Sequence, residues 1–173
     1  MKIVSRLIPL VLIACVISAC GYRNPNVYNG PSKSIYLTEW QNRTNQLNLD
    51  SDIYRSLTRW FQKSGSISIV RQKEGADLIL AGEIISIALP SLSYGTNLTS
   101  TEVKIILKVR YILKEIATNK IILEVPEDVR LEDYLLTSDS KTNSDNESKA
   151  LEEIIEDLSQ KIYQKTVSEL PKL

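Results

Sequence analysis

"TEVKIILKVRYIL", residues 101–113, decides the fold. Val103, Ile105, Leu107, Val109, Tyr111 and Leu113 share one parity. Glu102, Lys104, Lys108 and Arg110 share the other, interrupted by Ile106 and Ile112. Successive side chains of a strand point to opposite faces, so this pattern predicts a long strand with one sheet face buried and the other largely wet.

The neighbouring segments read outward from that strand. The polar connector "ATNK" (117–120) turns the chain into "IILEV" (121–125) as a hairpin, and extended chain resumes around "VRLEDYLL" (129–136). Upstream, "ADLILAGEIISIAL" (76–89) reads as a strand in which Gly82 marks a bulge or a close backbone approach. "SISIV" (66–70) and "SIYLTEW" (34–40) read as two more, and "QNRTNQLN" breaks the latter with turn formers. Between them Asp50 or Ser51 caps a helix that places Ile53, Leu57, Trp60 and Phe61 on one face, with Gly65 positioned to end it.

After the strands, residues 137–149 ("TSDSKTNSDNESK") read as a polar loop, with Ser144 and Glu147 offering a capping box. Ala150, Leu151, Ile154, Ile155, Leu158 and Ile162 then trace an apolar stripe along a helix reaching about Ser168, with Pro171 beyond it. "EEIIED" (152–157) reads as the solvated side of that helix rather than a carboxylate pair for acid–base work. The predicted fold class is α+β: a two-layer sandwich with two helices on one face of a mixed, mostly antiparallel sheet of about four to five strands. The first strand–helix–strand passage needs a crossover, which makes its two strands parallel and near neighbours.

The N-terminus is of another kind. Lys2 and Arg6 precede an apolar run of roughly a dozen residues, short of the ~20 that cross a bilayer as a helix. It fits a secretory signal. Both cysteines, Cys15 and Cys20, lie at its end, and Ile17-Ser18-Ala19-Cys20 resembles the bacterial lipobox, whose cysteine is acylated on sulfur. A Cys15–Cys20 disulfide would need Cys15, which leaves with the removed segment, and two thiols without histidine are too few for structural zinc. The expected organisation is a signal peptide over 1–19, a lipidated tether over 20–34 rich in Asn, Pro and Gly, and one domain over 35–173. Gly21, where retention at the inner membrane would favour aspartate, points to outer-membrane sorting with the domain on the periplasmic face.

Composition narrows the chemistry. Lys plus Arg number 21 and Asp plus Glu 21, so no net positive field argues for nucleic acid. With no histidine, the commonest general base and the commonest metal ligand are both missing. No Gly-rich phosphate loop appears, no spacing singles out a Ser–Lys dyad, and neither cofactor nor metal is expected. The Asn-x-Ser/Thr triplets at Asn42, Asn97 and Asn146 receive no role as glycosylation acceptors.

Cys20-Gly21-Tyr22, the first strand running into Asn42-Arg43-Thr44, "ADLILAGEI", "STEVKIILKV" and the late amphipathic helix together resemble the LptE family of lipopolysaccharide-assembly lipoproteins. The resemblance implies an outer-membrane lipoprotein without catalytic activity that sits in the lumen of the LptD β-barrel as a plug, helps it assemble and binds lipopolysaccharide. Beside it, the residues leave room for a structural envelope lipoprotein serving another outer-membrane channel or peptidoglycan.

Lys104, Lys108 and Arg110, with Lys114 beyond, share the wet parity and can present cations to lipopolysaccharide phosphates; the same row also serves solubility and discourages edge pairing. The loop "PSLSYGTNLTS" (90–100) has no charge, so Tyr94 and Asn97 are candidate contacts to a protein partner rather than to lipid.

Overall fold

Ile105, Leu107, Val109, Tyr111 and Leu113 are all buried, as their alternation requires. The structure, a computed structural model, describes Tyr28, residues 30–89 and residues 101–170. The described elements are β1 (Lys33–Leu37), β2 (Gln41–Asn42), α1 (Leu49–Gln62), β3 (Ile67–Val70), β4 (Leu78–Ala88), β5 (Thr101–Glu115), β6 (Ile121–Leu136) and α2 (Ser140–Glu169). The segment expected to be a signal peptide (1–19), Cys20, Tyr94 and Asn97 lie outside the described residues.

The strands form one sheet in the order β3-β1-β4-β5-β6, with the two-residue β2 beside β4. β1 pairs parallel with both β3 and β4, as the crossover through α1 demands, while the two long ladders, β4 with β5 and β5 with β6, are antiparallel. Both helices lie on one face: α2 packs on β6 and β5, and α1 packs on β3 and against α2. The α+β two-layer reading holds, with β2 as an extra short strand inside the segment read as a turn. β1 opens at Lys33, and the Asp77 carboxylate clasps its start by accepting from the Ser34 N–H (2.7 Å) and hydroxyl (2.8 Å). Those donors hold the Asp77 carboxyl below its ordinary value.

Several local expectations are corrected. α1 is capped neither by Asp50 nor by Ser51: its N-cap is Asn48 in the left-handed region (φ 67°), which Asn tolerates well, and Asp50 and Asp52 instead occupy the first turn, where the helix dipole favours negative charge. Gly65 does not end α1. The helix closes at Gln62, with Lys63 and Ser64 donating to the Trp60 and Phe61 carbonyls, and Gly65 keeps an ordinary negative φ.

The largest difference concerns residues 137–149. Most of this stretch is the start of α2, and the cap is Asp139, whose carboxylate accepts from the Thr142 N–H at 2.9 Å, rather than Ser144 with Glu147. The Thr142 hydroxyl and N–H hold the Asp139 carboxyl below its ordinary value. These turns are polar because hydrogen bonds rather than apolar burial hold them to β6. Buried Asn143 accepts from the Thr137 N–H (2.7 Å) and donates to the Thr137 carbonyl (2.9 Å), and Asn146 donates to the Leu135 carbonyl (2.8 Å). Tyr134, whose hydroxyl reaches Glu147 at 3.4 Å, has its pKa pushed up to about 12, chiefly by burial.

Gly82 is a close approach, not the bulge. A Cβ built there would meet the Trp40 ring at 2.3 Å, while the register shifts between Ile84 and Ser86. Trp40 in turn stacks on Tyr111, the ladder partner of Gly82, at 6.3 Å. Gly82→Ala is therefore expected to cost about 1–3 kcal/mol, because a buried indole cannot yield without repacking. A urea midpoint equal to wild type would count against this packing account.

Candidate functional site

The face of the sheet turned away from the helices carries the predicted cation row, and the structure shows what surrounds each member. Lys104 pairs with Asp133 at 3.1 Å directly across the β5–β6 ladder, and Lys108 reaches Glu127 at 3.9 Å. Arg110 pairs with Glu83 across β4–β5, and Arg43 closes on the same carboxylate from the turn after β2. Lys114 has no carboxylate partner among the described residues. The row is thus an ordered set of ion pairs with local excess charge at Glu83, where two guanidinium groups share one carboxylate, and at Lys114.

The second half of β6 inverts the expected pattern. Val129, Leu131 and Leu135 point to the bare face and are 42%, 54% and 53% exposed, while Asp128, Arg130 and Tyr134 turn inward under α2. Simple alternation would bury the aliphatics of "VRLEDYLL"; the register with β5 places Leu131 opposite Ile106 and Val129 opposite Lys108, on the wet parity. The result is an apolar ladder threaded between ion pairs on an edge strand.

Beneath it lies a polar network that sequence reasoning missed. The Asp128 carboxylate accepts from the Tyr111 hydroxyl (3.1 Å) and pairs with Arg130 Nε (2.9 Å), with Lys165 at 3.7 Å and Lys161 at 4.0 Å, both on α2. Arg130 also reaches Asp157 of α2 at 2.8 Å. Burial pushes the Asp128 carboxyl up, but Arg130, the Tyr111 hydroxyl and Lys161 outweigh it and hold the group below its ordinary 3.8. Burial, then the charge of Asp128, drives the Tyr111 phenol upward. Glu156, within the segment read as solvated, accepts from buried Ser56 (2.7 Å) and from Arg59 (3.0 Å) and so ties α2 to α1. Its neighbours Glu152, Glu153 and Asp157 are exposed, as the solvated-face reading has it.

The structure is a two-layer sandwich with helices on one side and ion pairs and outward aliphatics on the other, and among the described residues no cluster of three or more acidic, Cys or His side chains is arranged to hold a metal. Solved structures share this fold: a protein from Xanthomonas campestris (TM-score 0.58, 11% identity, covering 82% of this chain and 88% of that one) and a hypothetical protein from Chlamydia trachomatis (0.54, 13%, 79% and 96%). The rare lipoprotein B of Shewanella oneidensis is similar again (0.52, 17%, 78% and 94%). No curated protein matches the chain. The model of the LptE family, described as lipopolysaccharide-assembly, matches residues 32–166, and the chain belongs to that family. That family is one of non-enzymatic lipopolysaccharide-assembly lipoproteins.

Proposed function

We propose that the chain is anchored through acylated Cys20 to the periplasmic face of the outer membrane, stands inside an LptD-type β-barrel as a plug, helps that barrel assemble and assists lipopolysaccharide to the outer leaflet. The family supplies the lipopolysaccharide-assembly role. The observation that carries the plug reading is the bare sheet face. Val129, Leu131 and Leu135 stand exposed in one line on an edge strand, bordered by the Lys104–Asp133 and Lys108–Glu127 pairs. Lone exposed aliphatics are ordinary, but an aligned set rimmed by charge is suited to contact with another protein surface. Tyr94 and Asn97 belong to the same proposal as partner contacts, and Lys104, Lys108, Arg110 and Lys114 as contacts to lipopolysaccharide phosphates.

Purification of the full chain from detergent-solubilised membranes is expected to recover a large β-barrel protein in stoichiometric amount, and Val129→Glu with Leu131→Glu to reduce that recovery several-fold while the variant remains folded. Wild type recovered without a barrel partner would overturn the plug reading. The intact mass of the processed chain is expected to carry the acyl groups on Cys20, and a bare thiol there would overturn the anchor.

A further inference from the structure

β6 pairs with β5 on one side only, so its outer flank is an open sheet edge. In an antiparallel ladder alternate residues turn both N–H and C=O toward the neighbouring strand, and the residues between them turn theirs away. The Leu135 carbonyl turns away, since it accepts from the Asn146 side-chain amide of α2 at 2.8 Å. β6 runs against β5 without a register shift from Asp128 to Leu136, so the period of two gives Val129, Leu131 and Asp133 the same outward direction. Among the described residues nothing closes the backbone N–H and C=O groups of these three.

The open stretch has defined ends. At its start the register shifts between Val125 and Asp128, where Pro126 stands; at its far end Asn146 covers Leu135. Bulges, proline and side-chain caps are the usual ways of blunting an edge, and here they stop short of the middle. There the side chains of Val129 and Leu131, 42% and 54% exposed, lie beside the free backbone groups. Strand addition uses this combination: main-chain bonds supply affinity, and alternate side chains supply specificity.

Charge selects the occupant. Residues 127–133, EDVRLED, hold four acids and one arginine. Arg130 is engaged by Asp128 and Asp157, and Lys104 and Lys108 answer Asp133 and Glu127 only through exposed and therefore weak pairs. An added strand would set alternate residues beside Val129 and Leu131 on the bare face, and those between them beside Glu132 and the exposed Asp157 that α2 brings to Arg130. A second copy of the chain suits this edge poorly, because antiparallel pairing about Leu131 sets Val129 beside Asp133 and joins two acidic stretches.

We propose that the outer edge of β6 from Val129 to Asp133 accepts, by strand addition, an extended segment of another protein in which apolar residues alternate with lysine or arginine. It is a main-chain site on the flank of the strand, separate from the barrel contact read on the bare face.

The test titrates the full chain in detergent with a short, end-blocked peptide alternating valine and lysine, read by calorimetry. Wild type is expected to bind it. The same peptide with alternate backbone amides N-methylated keeps charge and apolar surface but loses main-chain donors, and should bind about tenfold more weakly or worse. A valine–glutamate peptide should fall by about as much. Leu131→Pro removes an outward N–H that the β5 ladder does not use, at a place where an edge strand tolerates proline. The variant should fold and bind the valine–lysine peptide about tenfold more weakly, with Leu131→Ala, which removes only the side chain, losing less. Wild type that ignores the valine–lysine peptide, or binds the methylated one equally well, overturns the site, and both arms stand even where the proline variant does not fold. A folded Leu131→Pro that binds as wild type does also overturns it, and equal binding of the valine–glutamate peptide overturns the basic partner. Sedimentation of wild type alone is expected to show a single copy; self-association abolished by Leu131→Pro would give the edge to a second copy instead. Barrel recovery enters none of these readouts, so their failure leaves the plug reading standing.

Discussion

Asp128→Ala is expected to lower the stability of the folded chain by about 3–5 kcal/mol, the range for breaking a buried ion pair by removing one partner. Asp128 is buried and gathers Arg130, Lys161, Lys165 and the Tyr111 hydroxyl. Its removal leaves Arg130 with Asp157 alone, a phenol with no acceptor, and two α2 lysines facing a guanidinium. At roughly 2–4 °C per kcal/mol for a chain of this size, the melting temperature should fall by about 10 °C. Asp128→Asn, which keeps an acceptor for Tyr111, should lose less. A loss below about 1 kcal/mol for alanine would mean that solvent replaces the network freely.

The same carboxylate gives a pH signature. Its folded-state pKa lies below the ordinary 3.8, so protonation favours unfolding. The contribution is fully present above the ordinary value and is lost as pH falls through the folded one. The stability gap between wild type and Asp128→Ala should therefore hold steady from neutral pH down to about 5 and narrow in the region below 3.8. Urea titrations of both proteins across that range measure it.

The β5 strand was legible because burial on one face imposes a period that only a strand satisfies, and Ile105 to Leu113 obey it at every other position. Extended chain over 121–125 and around 129–136 was legible in β6 too, but not which side of it is buried, because its charged and apolar residues exchange faces. Asp128 and Arg130 are tolerated inside only because Lys161, Lys165 and Asp157 arrive from α2, some thirty positions away, and no local window carries that information. The first turns of α2 were read as loop for a related reason: Asn143 and Asn146 look like loop formers until their partners, Thr137 just past β6 and Leu135 within it, are known. Tyr28 sits in the core although its surroundings are rich in Asn, Pro and Gly. Of the site, the cation row could be read from parity, but not the acids that meet it. Arg43 was quoted for its motif, yet its pairing with Glu83 depends on the turn that Asn42 builds.

Phe61→Ala should destabilise the protein by about 3–5 kcal/mol while leaving the bare face intact. Phe61 is fully buried in the seam between α1 and α2, meeting the Tyr163 ring edge-on at 5.3 Å, with Trp60 against the same ring at 6.0 Å. Truncation loses the transfer energy of the ring and the edge-to-face contact, and it opens a cavity that Tyr163 is poorly placed to fill, since Trp60 already holds it. Arg43, Glu83, Arg110 and Leu131 belong to the opposite face of the sheet, so their geometry does not depend on this seam except through global unfolding. Thermal denaturation should accordingly show a drop of roughly 10 °C, whereas barrel recovery, measured well below the new midpoint, should match wild type. Loss of that recovery at a temperature where circular dichroism reports a folded variant would mean that the helical layer takes part in recognition, and the division of labour between the two faces would fall.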